Sequence, residues 1–287
     1  MDSYIKEIIH TALDEDIKSG DVTTQATIPN SIFGKGKFLV KANGVIAGLN
    51  IARNVFEFID EKIEFKILIP DAKPVTKGNI IAEVGGKASS ILTGERTALN
   101  FLQRMSGIAT LTNDFVEKIK HTKAKILDTR KTVPGLRLLD KEAVRLGGGK
   151  NHRIGLFDMF LIKDNHIEIA GSITNAVKAC REFQQMKNSN LRIEIETKNL
   201  EEVKEAISNN ADIIMLDNFN IDLMRKAVVL INGKCLVEAS GNINIDNVKE
   251  VAETGVDFIS VGALTHSVKA LDISLEVELK KIINTDV

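Results

Sequence analysis

The stretch from Leu191 to Asn218, "LRIEIETKNLEEVKEAISNNADIIMLDN", decides the fold. A short apolar run, "LRIEIET", is followed by a segment whose Leu200, Val203, Ala206 and Ile207 fall on one helical face. Asn199 and Glu202 stand at its start in the spacing of a capping box. A second apolar run, "DIIMLDN", then ends in polar residues. This is one strand-helix-strand unit.

The same rhythm begins near Lys125 and continues almost to the end of the chain. Its apolar runs are "AKILD", "DMFLIKDN", "LRIEIET", "DIIMLDN", "KCLVEAS" and "VDFISVG". The helical segments between them include "GSITNAVKACREFQQM", where Ile173, Ala176, Val177, Cys180 and Phe183 share a face, and "INIDNVKEVAETG", closed by Gly255. Repeated β-α units imply parallel strands joined by right-handed crossovers, in a sheet covered on both sides. A doubly wound sheet and a TIM-like barrel both satisfy that pattern. Every strand ends in reactive polar residues and no G-x-G-x-x-G follows the first, which favours an α/β barrel of fewer than eight strands.

The first third reads as an α+β domain. "SYIKEIIHTAL" is an amphipathic helix, and the short strands "GKGKFLVKA", "GVIAGL", "KIEFKILI" and "NIIAEVGG" are broken by glycines and by the helix "NIARNVFEFI". "VTKGNIIAEVGG" is similar to the half-barrels that carry lipoyl lysines, but it has no exposed Met-Lys tip and reads as scaffold. A long helical stretch, "TGERTALNFLQRMSGIATLTNDFVEKIK", joins the halves. Near the end, "DISLEVELKK" alternates apolar and polar residues with period two, the pattern of a strand returning to the first sheet. The expected domains are 1–111 together with 271–287, and 112–270.

Composition excludes several classes of function. Of 287 residues, 44% are hydrophobic and 27% charged, and the net charge is -1, so no global positive field favours nucleic acid or an anionic membrane. No apolar run reaches the ~20 residues of a membrane span, and the N-terminus carries acids in place of the apolar core of a signal peptide. Cys180 and Cys235 lack metal or redox spacing and read as buried free thiols in a reducing, cytoplasmic setting.

Any anion site must therefore be local, and the strand ends supply one. They carry Arg130 and Lys131; Lys163; Glu194 and Glu196; Asp217; Glu238 and Ser240-Gly241-Asn242; and Val261-Gly262-Ala263. "GGGKNHR" adds His152 and Arg153. Singly, each is an ordinary solvated charge or helix cap. Gathered at one barrel mouth, like charges repel by roughly 1–3 kcal/mol per close pair at an effective dielectric near 20, and an anion relieves this. The glycine turns "ASGNIN" and "SVGALTHS" suit a phosphate, and Glu196 and Asp217 suit ribose hydroxyls, Mg²⁺ or a developing cation. "GGGK" is not a phosphate-binding P-loop, because Asn151 follows Lys150 and Val144 stands where a glycine is required. His152 and His166 are not spaced as a helical metal pair, and no protein-only metal site is expected.

The series "GDVTT", "TGERTALNFLQRMSGIAT", "DTRKTVPGLR", "KEAVRLGGGKNHRIGLFDMFLIKDNH", "EIET", "IMLDNF", "EASGNI" and "SVGALTHS" resembles the quinolinate phosphoribosyltransferases in order from about Glu15 to Leu275. The resemblance implies an N-terminal α/β sandwich domain plus an incomplete TIM-like α/β barrel. It implies conversion of quinolinate and phosphoribosyl pyrophosphate to nicotinate mononucleotide, pyrophosphate and CO₂, in NAD biosynthesis. Mg²⁺ would be bound mainly through phosphoribosyl pyrophosphate, and the partner a second copy in a homodimer with shared sites, or a hexamer. By resemblance, Arg130, His152 and Arg153 would bind the quinolinate carboxylates, and Arg96 would reach in from a partner subunit. Lys131 and Lys163 would hold pyrophosphate, while Glu196 and Asp217 would face the ribose. Ser240, Gly241, Asn242, Gly262 and Ala263 would cradle the 5′-phosphate, with Thr129 and Val261 alongside. Lys131, Lys163, Glu196 and Asp217 are the expected catalytic residues, Glu196 being chosen over Glu194 by alignment alone. The alternative is a sister enzyme of ModD-like type acting on another aromatic acid.

Overall fold

The structure, a computed structural model, describes residues 2–281; the end of the expected returning segment, 282–287, lies outside them. The chain divides into two compact units. The first holds residues up to Leu111 together with Val133–Gly148 and the residues from Ser267 onward; the second holds Thr112–Thr132 and Gly149–His266.

In the first unit α1 (Ser3–Ile17) and α2 (Val22–Thr27) precede β1 (Ile32–Val40), β2 (Gly44–Val45), α3 (Leu49–Ile59), β3 (Glu64–Ile67), β4 (Pro74–Val75) and β5 (Ile80–Lys87). Helix α4 (Ala88–Ile119) follows, and α5 (Arg137–Leu146) and the final strand, β12 (Ile273–Lys281), belong to the same unit. The main sheet has the antiparallel order β12-β1-β5-β3. The tail strand pairs along all of β1, from Ile32↔Lys281 to Val40↔Ile273, as its period of two requires. Phe38, Phe56 and Phe65 meet with ring centroids 5.5–6.2 Å apart and seat α3 on the sheet.

The second unit is a single parallel sheet of β6 (Lys125–Leu127), β7 (Phe160–Ile162), β8 (Ile193–Thr197), β9 (Ile213–Asp217), β10 (Leu236–Ser240) and β11 (Phe258–Ser260). Each of the six apolar runs forms one strand. The intervening helices are α6 (Asp164–Ala170), α7 (Ile173–Lys187), α8 (Leu200–Ser208), α9 (Ile221–Ile231), α10 (Val248–Ala252) and α11 (Ala263–His266). Asn199 caps α8 by accepting the Glu202 N–H, but the Glu202 carboxylate reaches back to the Lys198 N–H, a variant of the expected box. The spatial order is β6-β11-β10-β9-β8-β7, so two strands consecutive along the chain form opposite edges of the sheet. That is a barrel interrupted at one seam. "GGGK", read as a connection, instead adds a bridge to the β6 edge: the Lys150 N–H donates to the Ile126 carbonyl and its carbonyl accepts from Asp128.

Two details differ from the sequence reading. Val133–Gly148 groups with the first unit because its helix α5 is fastened to α4. Arg104 donates twice to Asp140, at 2.9 and 2.8 Å, and Asp140 is fully buried and also accepts the Val133 N–H. Cys180 and Cys235 are free but only half-buried. Among the described residues no helix is long and apolar enough to cross a membrane.

The Arg104–Asp140 pair gives a direct test of this fastening. Replacing Arg104 by Met leaves a buried carboxylate without its cation and should lower the unfolding free energy by ~3 kcal/mol in urea titration. A loss below ~1 kcal/mol would show that solvent already screens the pair.

Candidate active site

The carboxyl ends of the six parallel strands open on one cavity of about 650 Å³. Its wall contains Thr129, Arg130, Lys131, His152, Arg153, Lys163, Glu196, Asp217, Ser240, Gly241, Asn242, Gly262 and Ala263. Two of the expected residues stand elsewhere. Val261 is buried, with its N–H bonded to the Leu127 carbonyl, and takes no part in the lining. Arg96 is exposed on α4, in the first unit.

The cations are delivered by two segments tied together through one buried acid. β6 ends at Leu127, and the next residue, Asp128, is fully buried. Its carboxylate accepts the His152 backbone N–H at 2.8 Å and the Asn151 side-chain amide at 2.9 Å. "TRK" and "NHR" are therefore fixed side by side. Burial, and secondarily the neighbouring Arg130, pull Arg153 below the ordinary arginine range. The two guanidinium groups repel at close quarters, as a dianion site requires.

Across the seam, Lys163 follows β7. His166 accepts the Lys163 N–H on Nδ1 at 2.9 Å, so this histidine shapes the turn that presents the lysine. The Lys163 ammonium donates to Glu196 at 2.8 Å. Glu194 and Glu196 both point into the barrel, one layer apart, because β8 side chains alternate. Glu196 reaches the mouth and Glu194 the floor, which separates two acids that the sequence pattern could not.

The glycine-turn end of the cavity is built from backbone. Asn218, Gly241 and Asn242 all have positive φ, at 55°, 97° and 53°. A Cβ at Gly241 would meet the Asn218 side chain at 2.2 Å and its backbone nitrogen at 2.9 Å, so only glycine fits. The Asn218 amide donates to Asp217 and its oxygen accepts from Asn242, holding acid and turn in register. The Lys131 side chain passes 3.2 Å from where a Cβ of Gly262 would stand. His266 also lines this end.

The floor was missed by sequence reasoning. Glu194 and Glu238 are fully buried beside His152 and each other. Burial raises Glu194 to about 7, against the opposing pull of Glu238's hydrogen bond and of Arg153, Arg192 and Lys163. Burial and then the Glu194 charge raise Glu238 to about 8, opposed by His152 and Ser260. Acids on the inward face of strands β8 and β10 were the available signal, since alternate strands share a layer in such barrels.

Comparison with known proteins agrees with this arrangement. Residues 21–106 match the family described as "Quinolinate phosphoribosyl transferase, N-terminal domain", and residues 108–276 match its C-terminal domain. The chain is 48% identical to "Nicotinate-nucleotide pyrophosphorylase [carboxylating], chloroplastic" of Oryza sativa subsp. japonica, over 96% of this chain and 78% of that protein. It is 47% identical to the protein of the same name from Arabidopsis thaliana, covering 96% and 83%. Among solved structures, NadC from Streptococcus pyogenes superposes with a TM-score of 0.92 at 38% identity, covering 97% of each chain. The nicotinate-nucleotide pyrophosphorylase from Francisella tularensis gives 0.91 at 44% identity, covering 96% of each. The chain belongs to the quinolinate phosphoribosyl transferase family.

Proposed function

We propose that this chain joins quinolinate to the phosphoribosyl group of phosphoribosyl pyrophosphate and removes one carboxylate, giving nicotinate mononucleotide, pyrophosphate and CO₂. One observation carries the reading: four cations, three acids and two glycine turns line a single cavity, the set of groups that a dicarboxylate, a pyrophosphate, a ribose and a phosphate would need. The relatives' names favour quinolinate over the ModD-like alternative.

Arg130 and Arg153 face the carboxylates of quinolinate, a task suited to planar guanidinium groups. Lys131 and Lys163 neutralise pyrophosphate as it leaves. Loss of pyrophosphate leaves an oxocarbenium-like ribose, which the carboxylates of Glu196 and Asp217 stabilise. The pyridine nitrogen then forms the bond to the anomeric carbon. Its positive charge stabilises the electron pair that stays on the adjacent carbon when CO₂ departs, and that carbon uses the pair to take up a proton. No covalent enzyme intermediate is required; orientation and electrostatics supply the rate. Mg²⁺ would arrive mainly on phosphoribosyl pyrophosphate and neutralise its oxygens. Asp217, held by Asn218 and facing the cavity, is the acid placed to meet it, whereas Glu196 is already paired with Lys163.

We read the working unit as a homodimer with shared sites. Arg96 is exposed and absent from the cavity lining, which supports its acting on a second copy. The two free thiols support a reducing compartment such as the cytoplasm.

Incubation with quinolinate, phosphoribosyl pyrophosphate and Mg²⁺ should yield nicotinate mononucleotide with stoichiometric CO₂; no product would overturn the assignment. Arg130→Ala should raise KM for quinolinate by ~10-fold or more and Lys131→Ala that for phosphoribosyl pyrophosphate, each a lost charged contact of ~1.5–3 kcal/mol. Equal effects on both substrates would contradict this division of labour. Mixed Arg96→Ala and Arg153→Ala chains should recover part of the activity through hybrid dimers, and hybrids without recovery would exclude a shared site.

A further inference from the structure

The floor of the cavity carries an assignment that builds on the quinolinate reading. Both ring nitrogens of His152 face fixed protein groups. Nδ1 accepts the backbone N–H of Arg153 at 2.8 Å, so it carries no proton and the ring hydrogen sits on Nε2. Nε2 lies 3.0 Å from Glu194 Oε2 and 3.5 Å from Glu238 Oε2. One oxygen of each carboxyl group and the His152 nitrogen lie within 4.8 Å of one another, both acids being fully buried, and the Ser260 hydroxyl donates to Glu238 Oε1. Two fully buried carboxylates this close cannot both be ionised, so one of the pair holds a proton. The Ser260 bond occupies Glu238 Oε1 as an acceptor, leaving Oε2 to carry the proton towards Glu194. Other charges facing the pair are Arg153, Arg192 and Lys163.

We propose that Glu194 and Glu238 are positioning residues for quinolinate: as a singly protonated pair they lock His152 in its neutral, Nε2-protonated form, and the locked ring holds the Arg153 backbone so that its guanidinium faces the cavity. His152 then reads no substrate carboxylate through a ring N–H. Its Nδ1 anchors the residue that does. The three ligand atoms lie within 4.8 Å of one another, close enough for a cation to bridge them, so the test carries a metal arm.

The first measurement needs no substrate and stands even if the enzyme assignment fails. In the ¹⁵N-labelled full-length protein at neutral pH, His152, identified by the loss of its signals in His152→Gln, should show a protonated Nε2 and an unprotonated Nδ1. A protonated Nδ1 overturns the lock. With wild-type activity on quinolinate in hand, Glu194→Leu should raise its KM ~10-fold while shifting that for phosphoribosyl pyrophosphate less than ~2-fold. Glu238→Gln keeps a donor towards Glu194 and an acceptor for Ser260, and should cost ~3-fold or less in the same KM. Equal rises in both KM values, or Glu238→Gln as damaging as Glu194→Leu, overturn the assignment. If Glu194→Leu does not fold, Glu238→Gln and the histidine signals decide alone. Thermal unfolding supplies an independent sign: burial favours the protonated acid, so the contribution of Glu238 is present at low pH and lost between about 4.5 and about 8. The wild-type melting temperature should therefore fall relative to Glu238→Gln across that range, and parallel curves count against the shared proton. A stoichiometric divalent metal that Glu238→Gln abolishes assigns the cluster to a cation instead.

Discussion

Asp128 is a carboxylate with no exposed surface, and the catalytic mouth is assembled around it. It leaves the end of β6 pointing at the main chain of a segment more than twenty residues further on, and it accepts the His152 N–H and the Asn151 amide there. Hydrogen bonds to a buried anion are among the stronger ones in a protein, because the alternative is an unsolvated charge. This interaction sets the spacing between Arg130 and Arg153, and their mutual repulsion is what a doubly charged aromatic acid would relieve. The Lys150 bridge on the sheet edge leads the chain into this tie.

Charge in the barrel is arranged by depth. The floor holds Glu194 and Glu238 out of water with His152 beside them, and the mouth above holds Arg153, the Lys163–Glu196 pair, Lys131 and the backbone of the glycine turns. Burial pushes the floor acids towards neutrality and also weakens the preference of Arg153 for its proton. The same low dielectric strengthens every attraction to a bound anion. An anionic substrate thus meets cations backed by groups of low net charge.

Most of this architecture was legible in the residues, because hydrophobic periodicity reports which faces are covered. "DIIML" could only be a strand buried on both sides, and "DISLEVELKK" only one with a single covered face. The cations were legible because strand ends face one mouth in a parallel barrel. What resisted reading was third-dimensional. Nothing local distinguishes Glu194 from Glu196, which differ by one layer of depth. Nothing in "GGGK" announces an edge bridge, since that bridge depends on the register of β6. Nothing local announces that Asn218 holds both Asp217 and Asn242, because that depends on Gly241 coming too close for any side chain.

The interruption between β6 and β7 has a mechanical meaning. A closed hoop of strands pins each member on both flanks, while a cut hoop leaves two lips, here β7 paired along one flank and β6 with the Lys150 bridge on its outer side. Arg130 and Lys131 stand beyond one lip and Lys163, paired with Glu196, beyond the other, so cations flank the gap from both sides. A polyanion lying across the gap would fasten the two lips and complete the circumference that the polypeptide leaves open.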